Sequence, residues 1–346
     1  MNGRQTTLEN EIVKVENLRV VFDTIYGTVR ALNGVNLTIN KKRVLGVVGE
    51  SGSGKTVLGL SIIRLLPIPP GRTLEGKVFF LKKNLLGLSR AEMQEVRGTG
   101  ITMIFQEPLT ALNPVFSVGD QIAESITVRA RRELGAGLRG KRRLGYRGSK
   151  DREDEVIETL RLVRVPDPRS IVHSYPHELS GGMRQRIMIA MALATKPSLI
   201  IADEPTTALD VTTQAQVLRL MRDLMEEVQT SILFITHDLG VIAEIASDVA
   251  VMYAGSIVEK AGVYELFDHP LHPYTEALLV SLPSLTTSKR HAIGAIPGEV
   301  PSLTALPPGC PFHPRCKYAM ERCSQKVPNN REIAAGHEVA CLRYEE

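Results

Sequence analysis

Val44-Leu45-Gly46-Val47-Val48-Gly49-Glu50-Ser51-Gly52-Ser53-Gly54-Lys55-Thr56 is an apolar run that ends in a glycine-rich turn, a lysine and a hydroxyl residue. The run suits a strand buried on both faces. Gly49-x4-Gly54-Lys55-Thr56 matches the phosphate-loop pattern, and each residue type in it has a physical task. Glycines let the backbone of Gly49, Ser51, Gly52, Ser53 and Gly54 turn its N–H groups inward, and the following helix adds the donors of its first turn, Val57 included. Lys55 neutralises charge on the β- and γ-phosphates, and Thr56 supplies a Mg²⁺ ligand. A loop with these parts binds a nucleoside triphosphate.

Two more apolar runs follow, Leu199-Ile200-Ile201-Ala202 and Ile232-Leu233-Phe234-Ile235, each preceded by a stretch with apolar residues at three- and four-residue spacing. Strands alternating with helices predict an α/β fold, a phosphate-loop NTPase core whose mainly parallel sheet is covered on both sides. Phosphate-handling groups belong at the carboxyl ends of such strands. Asp203, closing the first run, is the hard oxygen ligand for a metal on the phosphates. Glu204 follows it and is placed to orient and polarise an attacking water. His237, in Thr236-His237-Asp238 after the second run, is positioned to bind the γ-phosphate or to hold Glu204 and water.

Outward from this core the pattern changes. Ile12-Val13-Lys14-Val15 and Leu18-Arg19-Val20-Val21-Phe22 are strand-like, and Val35-Asn36-Leu37-Thr38-Ile39 alternates with period two, which predicts a small antiparallel β-subdomain. Amphipathic helical stretches over about 107–178 predict an inserted helical subdomain. Past about residue 265, prolines and short turns mark a separate tail. The 346 residues are 43% hydrophobic with a net charge of +4, enough for a sizeable core and too weakly basic to imply nucleic acid. No window reaches the 18 or more apolar residues of a membrane span, and Met1 to Asn10 lacks a secretory stretch, so the chain is expected in the cytosol, reaching a membrane only through a partner. Arg129, Arg131, Arg132, Arg139, Lys141, Arg142, Arg143, Arg147 and Lys150 crowd a glycine-rich stretch, read as a solvated insertion or as a loop near anionic lipid heads.

Many nucleotide enzymes share a phosphate loop, and the discriminating segment is Leu179-Ser180-Gly181-Gly182-Met183-Arg184-Gln185-Arg186. It resembles the signature motif of ABC transporter ATPases. Ser180, Gly181 and Gly182 present donors at a helix N-terminus, a second anion site. The resemblance implies head-to-tail pairing with a second ATPase subunit, a paralogue or another copy, whose nucleotide is closed over by Ser180, Gly181, Gly182 and Gln185. It implies that Gln106 touches Mg²⁺ and the attacking water, that Thr207-Ala208-Leu209-Asp210 crosses the dimer interface, and that His237 is the switch histidine. An aromatic ring stacks on adenine in this family; Phe22 and Tyr26 are both placed for it, with a lean toward Phe22. Two permease subunits, coupled through the groove beside Gln106, are the implied membrane partners.

Asp268-His269-Pro270-Leu271-His272-Pro273-Tyr274-Thr275 and Ile296-Pro297-Gly298-Glu299-Val300-Pro301 resemble the C-terminal extension of the oligopeptide and dipeptide importer ATPases, as do Phe105–Pro114 and Asp203–Val211. This implies a 10–265 ATPase domain with a 266–346 extension, ATP as substrate, an extracytoplasmic substrate-binding protein in the complex, and a peripheral place on the cytoplasmic face of the cell membrane. The four cysteines, Cys310, Cys316, Cys323 and Cys341, all lie in this tail. Four thiolates in a reducing compartment can hold an iron–sulfur cluster or a zinc ion. The resemblance favours a structural [4Fe–4S] cluster, with zinc, free thiols or disulfides as the alternatives. Rival functions are the same motor in an importer of oligosaccharides or nickel, or a soluble ABC-type ATPase. The last predicts a long coiled-coil insertion or two fused ATPase domains, and this chain has neither.

Overall fold

A computed structural model describes residues 10–107, 111–133, 150–207, 209–281 and 296–345, the Glu226 side chain apart. Most of the basic stretch, Arg139 to Arg147, lies outside the described residues, as do Pro108, Leu109, Thr110 and Ala208. The chain forms two compact units, 1–86 with 234–346, and 87–233.

The first unit opens with β1 (Glu11–Thr24) and β2 (Gly27–Asn40), paired antiparallel. The two strand-like segments of the sequence are thus one strand, and the register slips between Val15 and Leu18, where Asn17 has a left-handed φ of 44°. Such a bulge bends the strand without ending it. In β2, Val35, Leu37 and Ile39 are buried while Asn36 is exposed, so the period-two pattern became one inward face. After β3 (Val44–Val48), buried at all five positions, comes α1 (Lys55–Ile62). Next, β4 (Gly71–Phe80) and β5 (Lys83–Asn84) complete an antiparallel sheet of order β2-β1-β4-β5.

The second unit holds α2 (Arg90–Val96), β6 (Ile101–Ile104), α3 (Val118–Glu133), α4 (Lys150–Leu162), α5 (Pro168–Ile171), α6 (Gly181–Ala194), β7 (Leu199–Asp203) and α7 (Val211–Val228). β6 and β7 pair in parallel, Ile101 against Leu199 through Ile104 against Ala202. Thr102 and Thr195 hydroxyls meet at 3.2 Å, tying β6 to the end of α6. From Ser231–Ile235 the chain runs through β8 into the first unit again.

There it forms α8 (Leu239–Ile245), β9 (Asp248–Tyr253), β10 (Ser256–Gly262), α9 (Val263–Asp268) and α10 (Pro273–Val280), then β11 (Arg331–Ala334) and β12 (His337–Val339) in the tail. β3 and β9 are parallel, whereas β9–β10, β10–β12 and β12–β11 are antiparallel. The sheets are therefore mixed, and the tail itself contributes strands. Glu259 of β10, fully buried, anchors it, accepting from the backbone N–H of Leu271 (2.7 Å) and His272 (2.9 Å) and from His337 Nε2 (2.8 Å). A carboxylate taken out of water needs such a set of hydrogen-bond donors. No helix among the described residues is long and apolar enough to cross a membrane.

Candidate functional site

In the first unit, β3 leads directly into the Gly49–Gly54 loop, and glycine is required there by geometry. Gly49 has φ 156°, and a Cβ on it would lie 2.1 Å from the Met252 carbonyl oxygen. Gly54, the N-cap of α1, has φ 103°, and its Cβ would lie 2.6 Å from the Ala31 oxygen. Both conformations are open only to a residue without a side chain. Lys55, 6% exposed, folds back so that Nζ donates to the carbonyls of Gly49 (2.7 Å) and Glu50 (2.9 Å) and lies 3.4 Å from Ser53 Oγ. The ammonium is thus held against the backbone of the loop. Ser51, Gly52 and Thr56 are exposed, Ser53 is buried, and Val57 is half-buried.

The other groups of this unit follow the same strand ends. The Thr236 N–H donates to the Val47 carbonyl at 3.1 Å, setting the exposed His237 beside the end of β3. Asp238 next to it caps α8, accepting from Gly240 N–H at 2.8 Å. Phe22 is half-buried, its ring edge 2.9 Å from where a Gly71 Cβ would stand, whereas Tyr26 is 86% exposed at the β1–β2 hairpin.

The second unit holds the carboxylates. Asp203 ends β7 and is 3% exposed. Glu204 takes a left-handed φ of 44°, a conformation costing on the order of 1–3 kcal/mol for a residue with a side chain. Its Oε2 accepts from Gln106 Nε2 (3.1 Å) and Thr207 Oγ1 (2.9 Å). Gln106 and Glu204 are therefore brought together, and Thr207 joins them as an orienting donor the sequence had indicated only as part of a loop. Ser180 caps α6, accepting from Met183 N–H at 3.3 Å, with Gly181 exposed beside it. A Cβ on Gly182 would stand 2.5 Å from Thr213 Cγ2, so this glycine admits the first turn of α7. Asp210 caps that turn, taking Thr213 N–H at 3.0 Å and Oγ1 at 2.7 Å, and these bonds lower its carboxyl below the usual range. Gln185 is buried at 1% exposure, its Nε2 without a hydrogen-bond partner among the described residues.

The family model described as ABC transporter matches residues 32–207, and that for the oligopeptide/dipeptide transporter C-terminal region matches 258–323. The chain belongs to the ABC transporter family. Among the relatives of this ABC protein, a probable peptide ABC transporter ATP-binding protein of Sinorhizobium fredii is 49% identical, over 97% of this chain and 96% of its own. The oligopeptide transport ATP-binding protein OppD of Bacillus subtilis is 48% identical, over 95% of this chain and 87% of its own. A solved dimeric ATP-binding cassette in a post-hydrolysis state, bound to ADP and Pi, is 25% identical with a TM-score of 0.61, covering 73% of this chain and 99% of that one.

The ABC cassette's four tail cysteines are all free. Burial raises the thiol of Cys310 to about 11. Burial likewise raises Cys316 and Cys341. The donor set matches a four-sulfur centre, but among the described residues no three His, Cys, Asp or Glu side chains stand in a metal-holding arrangement.

Proposed function

We propose that this chain is the ATP-hydrolysing motor of an importer of peptides. The observation that carries the reading is the Gly49–Thr56 loop with Lys55 drawn onto its carbonyls, in a chain matched over 97% of its length by a peptide-transport relative. Lys55 and the loop N–H groups hold the triphosphate, and the packed ring of Phe22 offers a more rigid adenine platform than the solvent-exposed Tyr26. Glu204, aimed by Gln106 and Thr207, takes a proton from the attacking water, and His237 serves the γ-phosphate side. Thr56, Asp203 and Gln106, hard oxygen donors, would hold Mg²⁺, which neutralises phosphate charge when bound.

ATP-driven pairing with a second cassette, self or paralogue, through Ser180, Gly181, Gly182 and Asp210 completes each site, whereas Gln185, expected there from the signature pattern, is 1% exposed and is not available on that surface. The energetic logic is a ligand-biased equilibrium in which ATP binds the closed pair more tightly than the separate subunits. A groove of about 330 Å³ beside the glutamine segment, lined by Met103, Phe105, Val128, Met188 and Met191, is the docking place for a permease helix. Apolar, methionine-rich walls suit a helix that must rock and stay attached. The domains divide at 10–265 and 266–346, with a helical subdomain over about 107–178. The protein works peripherally on the cytoplasmic face, in a complex with two permeases and an extracytoplasmic binding protein.

Reconstitution with the co-purifying permeases and binding protein tests this: peptide uptake that needs ATP and is lost in Lys55→Ala supports it, and uptake of oligosaccharide or nickel instead overturns the peptide assignment. The cysteine tail's proposed [4Fe–4S] cluster rests on the count of four sulfurs and on the likeness of the 258–323 segment to the oligopeptide/dipeptide transporter C-terminal region. Anaerobically purified protein with about four irons and four sulfides per chain supports it, and iron-free protein refutes it.

A further inference from the structure

The phosphate loop has a second set of partners, and they come from the tail. Glu50, the loop's second residue, is gripped on both its side chain and its backbone. Arg315 makes a two-pronged bond to its carboxylate, with NH1 donating to Oε2 at 2.8 Å and NH2 to Oε1 at 3.0 Å. The Glu50 N–H donates to the Tyr274 hydroxyl at 2.8 Å. The Glu50 carbonyl is one of the two that receive Lys55 Nζ, so the residue fixed by the tail also seats the lysine.

Arg315 is built in rather than resting on the surface. Its side chain is 4% exposed against 27% for Glu50. Nε donates to the Pro297 carbonyl at 3.0 Å, NH2 to Ile296 at 3.4 Å, and NH1 to the Tyr253 hydroxyl at 3.4 Å. The guanidinium lies 5.9 Å from the centre of the Tyr253 ring. Beneath it, Tyr253, Tyr274 and Phe312 pack with ring centres 4.6 to 5.4 Å apart, all three at most 2% exposed. A planar fork whose donors are all engaged has one rotamer to offer, which makes it a fixed counter-charge.

We propose that Arg315, with Tyr274, is a positioning residue for nucleotide binding: it neutralises and immobilises the Glu50 carboxylate at the first turn of the phosphate loop, so that the tail sets the affinity for ATP. A carboxylate on this loop is otherwise out of place, since a polyanion is to be bound there and like charges at short range repel. Pairing with Arg315 turns Glu50 from a repulsive group into a tether that holds the loop open around Lys55. Arg315 immediately precedes Cys316, so the conformation of the cysteine segment reaches the loop through this side chain.

The inference rests on reading Gly49–Thr56 as the nucleotide site, and the test keeps the two apart. Full-length protein is titrated calorimetrically with a non-hydrolysable ATP analogue and Mg²⁺, with circular dichroism and thermal melts as fold controls. Arg315→Ala should weaken binding roughly tenfold, the loss of one charge-assisted contact. Adding Glu50→Gln to it should restore affinity to within about threefold, because the bare charge is gone. Tyr274→Phe, which removes only the acceptor for the Glu50 N–H, should weaken binding roughly threefold and carries the test where Arg315→Ala fails to fold. Wild-type affinity in both Arg315→Ala and Tyr274→Phe, alongside loss in Lys55→Ala, overturns the positioning role. So does a loss in folded Arg315→Ala that Glu50→Gln leaves unrepaired. Wild-type affinity in Lys55→Ala overturns the nucleotide reading itself and this inference with it.

Discussion

The phosphate loop and the Glu204 cluster solve different problems with different parts of the chain. At Gly49–Thr56 the shape is set by the backbone: two glycines stand where a Cβ would collide with main-chain oxygens, and Lys55 bonds to carbonyls. Around Glu204 the side chains do the work, with Gln106 and Thr207 donating to one carboxylate oxygen. An anion of fixed shape is met well by a rigid array of N–H groups, whereas a proton acceptor must be aimed, and aiming needs groups that can be tuned one at a time. Substitutions in the loop should therefore damage binding and fold together. Substitutions around Glu204 should damage turnover alone.

The sharpest separation comes from Glu204→Gln. Removing the base should lower phosphate release by about 10²–10⁴-fold while the affinity for an ATP analogue is kept, and ATP should now accumulate a closed dimer on size exclusion. Turnover near wild type would take Glu204 out of its role. In the loop, Gly49→Ala should instead abolish analogue binding and lower stability by about 1–3 kcal/mol, since the new methyl meets the Met252 oxygen at 2.1 Å. Intact binding in that variant would mean that the loop is not held by its backbone.

Much of this division is readable in the chain. Gly49, Gly54, Lys55 and Asp203 announce themselves because local backbone geometry demands particular residue types at fixed spacing, and the apolar strands before them set their placement. Contacts made by side chains far apart in sequence leave no such mark. Thr207 reads as one residue of an interface loop until its hydroxyl is seen 2.9 Å from Glu204. Arg315 and Glu50 are separated by 265 positions, and nothing in either neighbourhood points to the other. The strands β11 and β12 leave no mark in the pattern of a proline-rich tail because they are short and one is fully exposed. The buried state of Gln185 was equally invisible, since the signature pattern gives residue identity and not which face of α6 carries it.

Thr207 offers a finer cut through the comparison. Thr207→Val keeps the shape and removes the hydroxyl, while Gln106 still donates to Glu204 Oε2. Loss of one hydrogen bond to a charged group, about 1.5 kcal/mol, should lower kcat roughly tenfold with KM for ATP unchanged. A raised KM with unchanged kcat would move Thr207 from aiming the base to holding the nucleotide. Thr207→Ser, which keeps the hydroxyl, should sit near wild type.

A further expected effect concerns the tail that braces the loop, and it appears only with acid. His272, 1% exposed, accepts the Tyr274 N–H on Nδ1 at 3.0 Å and packs 5.7 Å from the Phe312 ring. Burial lowers its pKa from 6.5 to about 3. A folded-state value below the unfolded one means that between about pH 6.5 and about pH 3 the unfolded chain takes up a proton the folded chain refuses. The stability due to the neutral ring is thus complete above pH 6.5 and is lost as pH falls, by at most about 1.4 kcal/mol per pH unit for one proton. His272→Asn retains an acceptor for the Tyr274 N–H and does not titrate. Its melting temperature should match or fall slightly below wild type at pH 7.5 and decline less steeply from pH 6.5 to pH 4.5. Equal slopes would show that His272 is not the group through which acid loosens the support beneath Glu50.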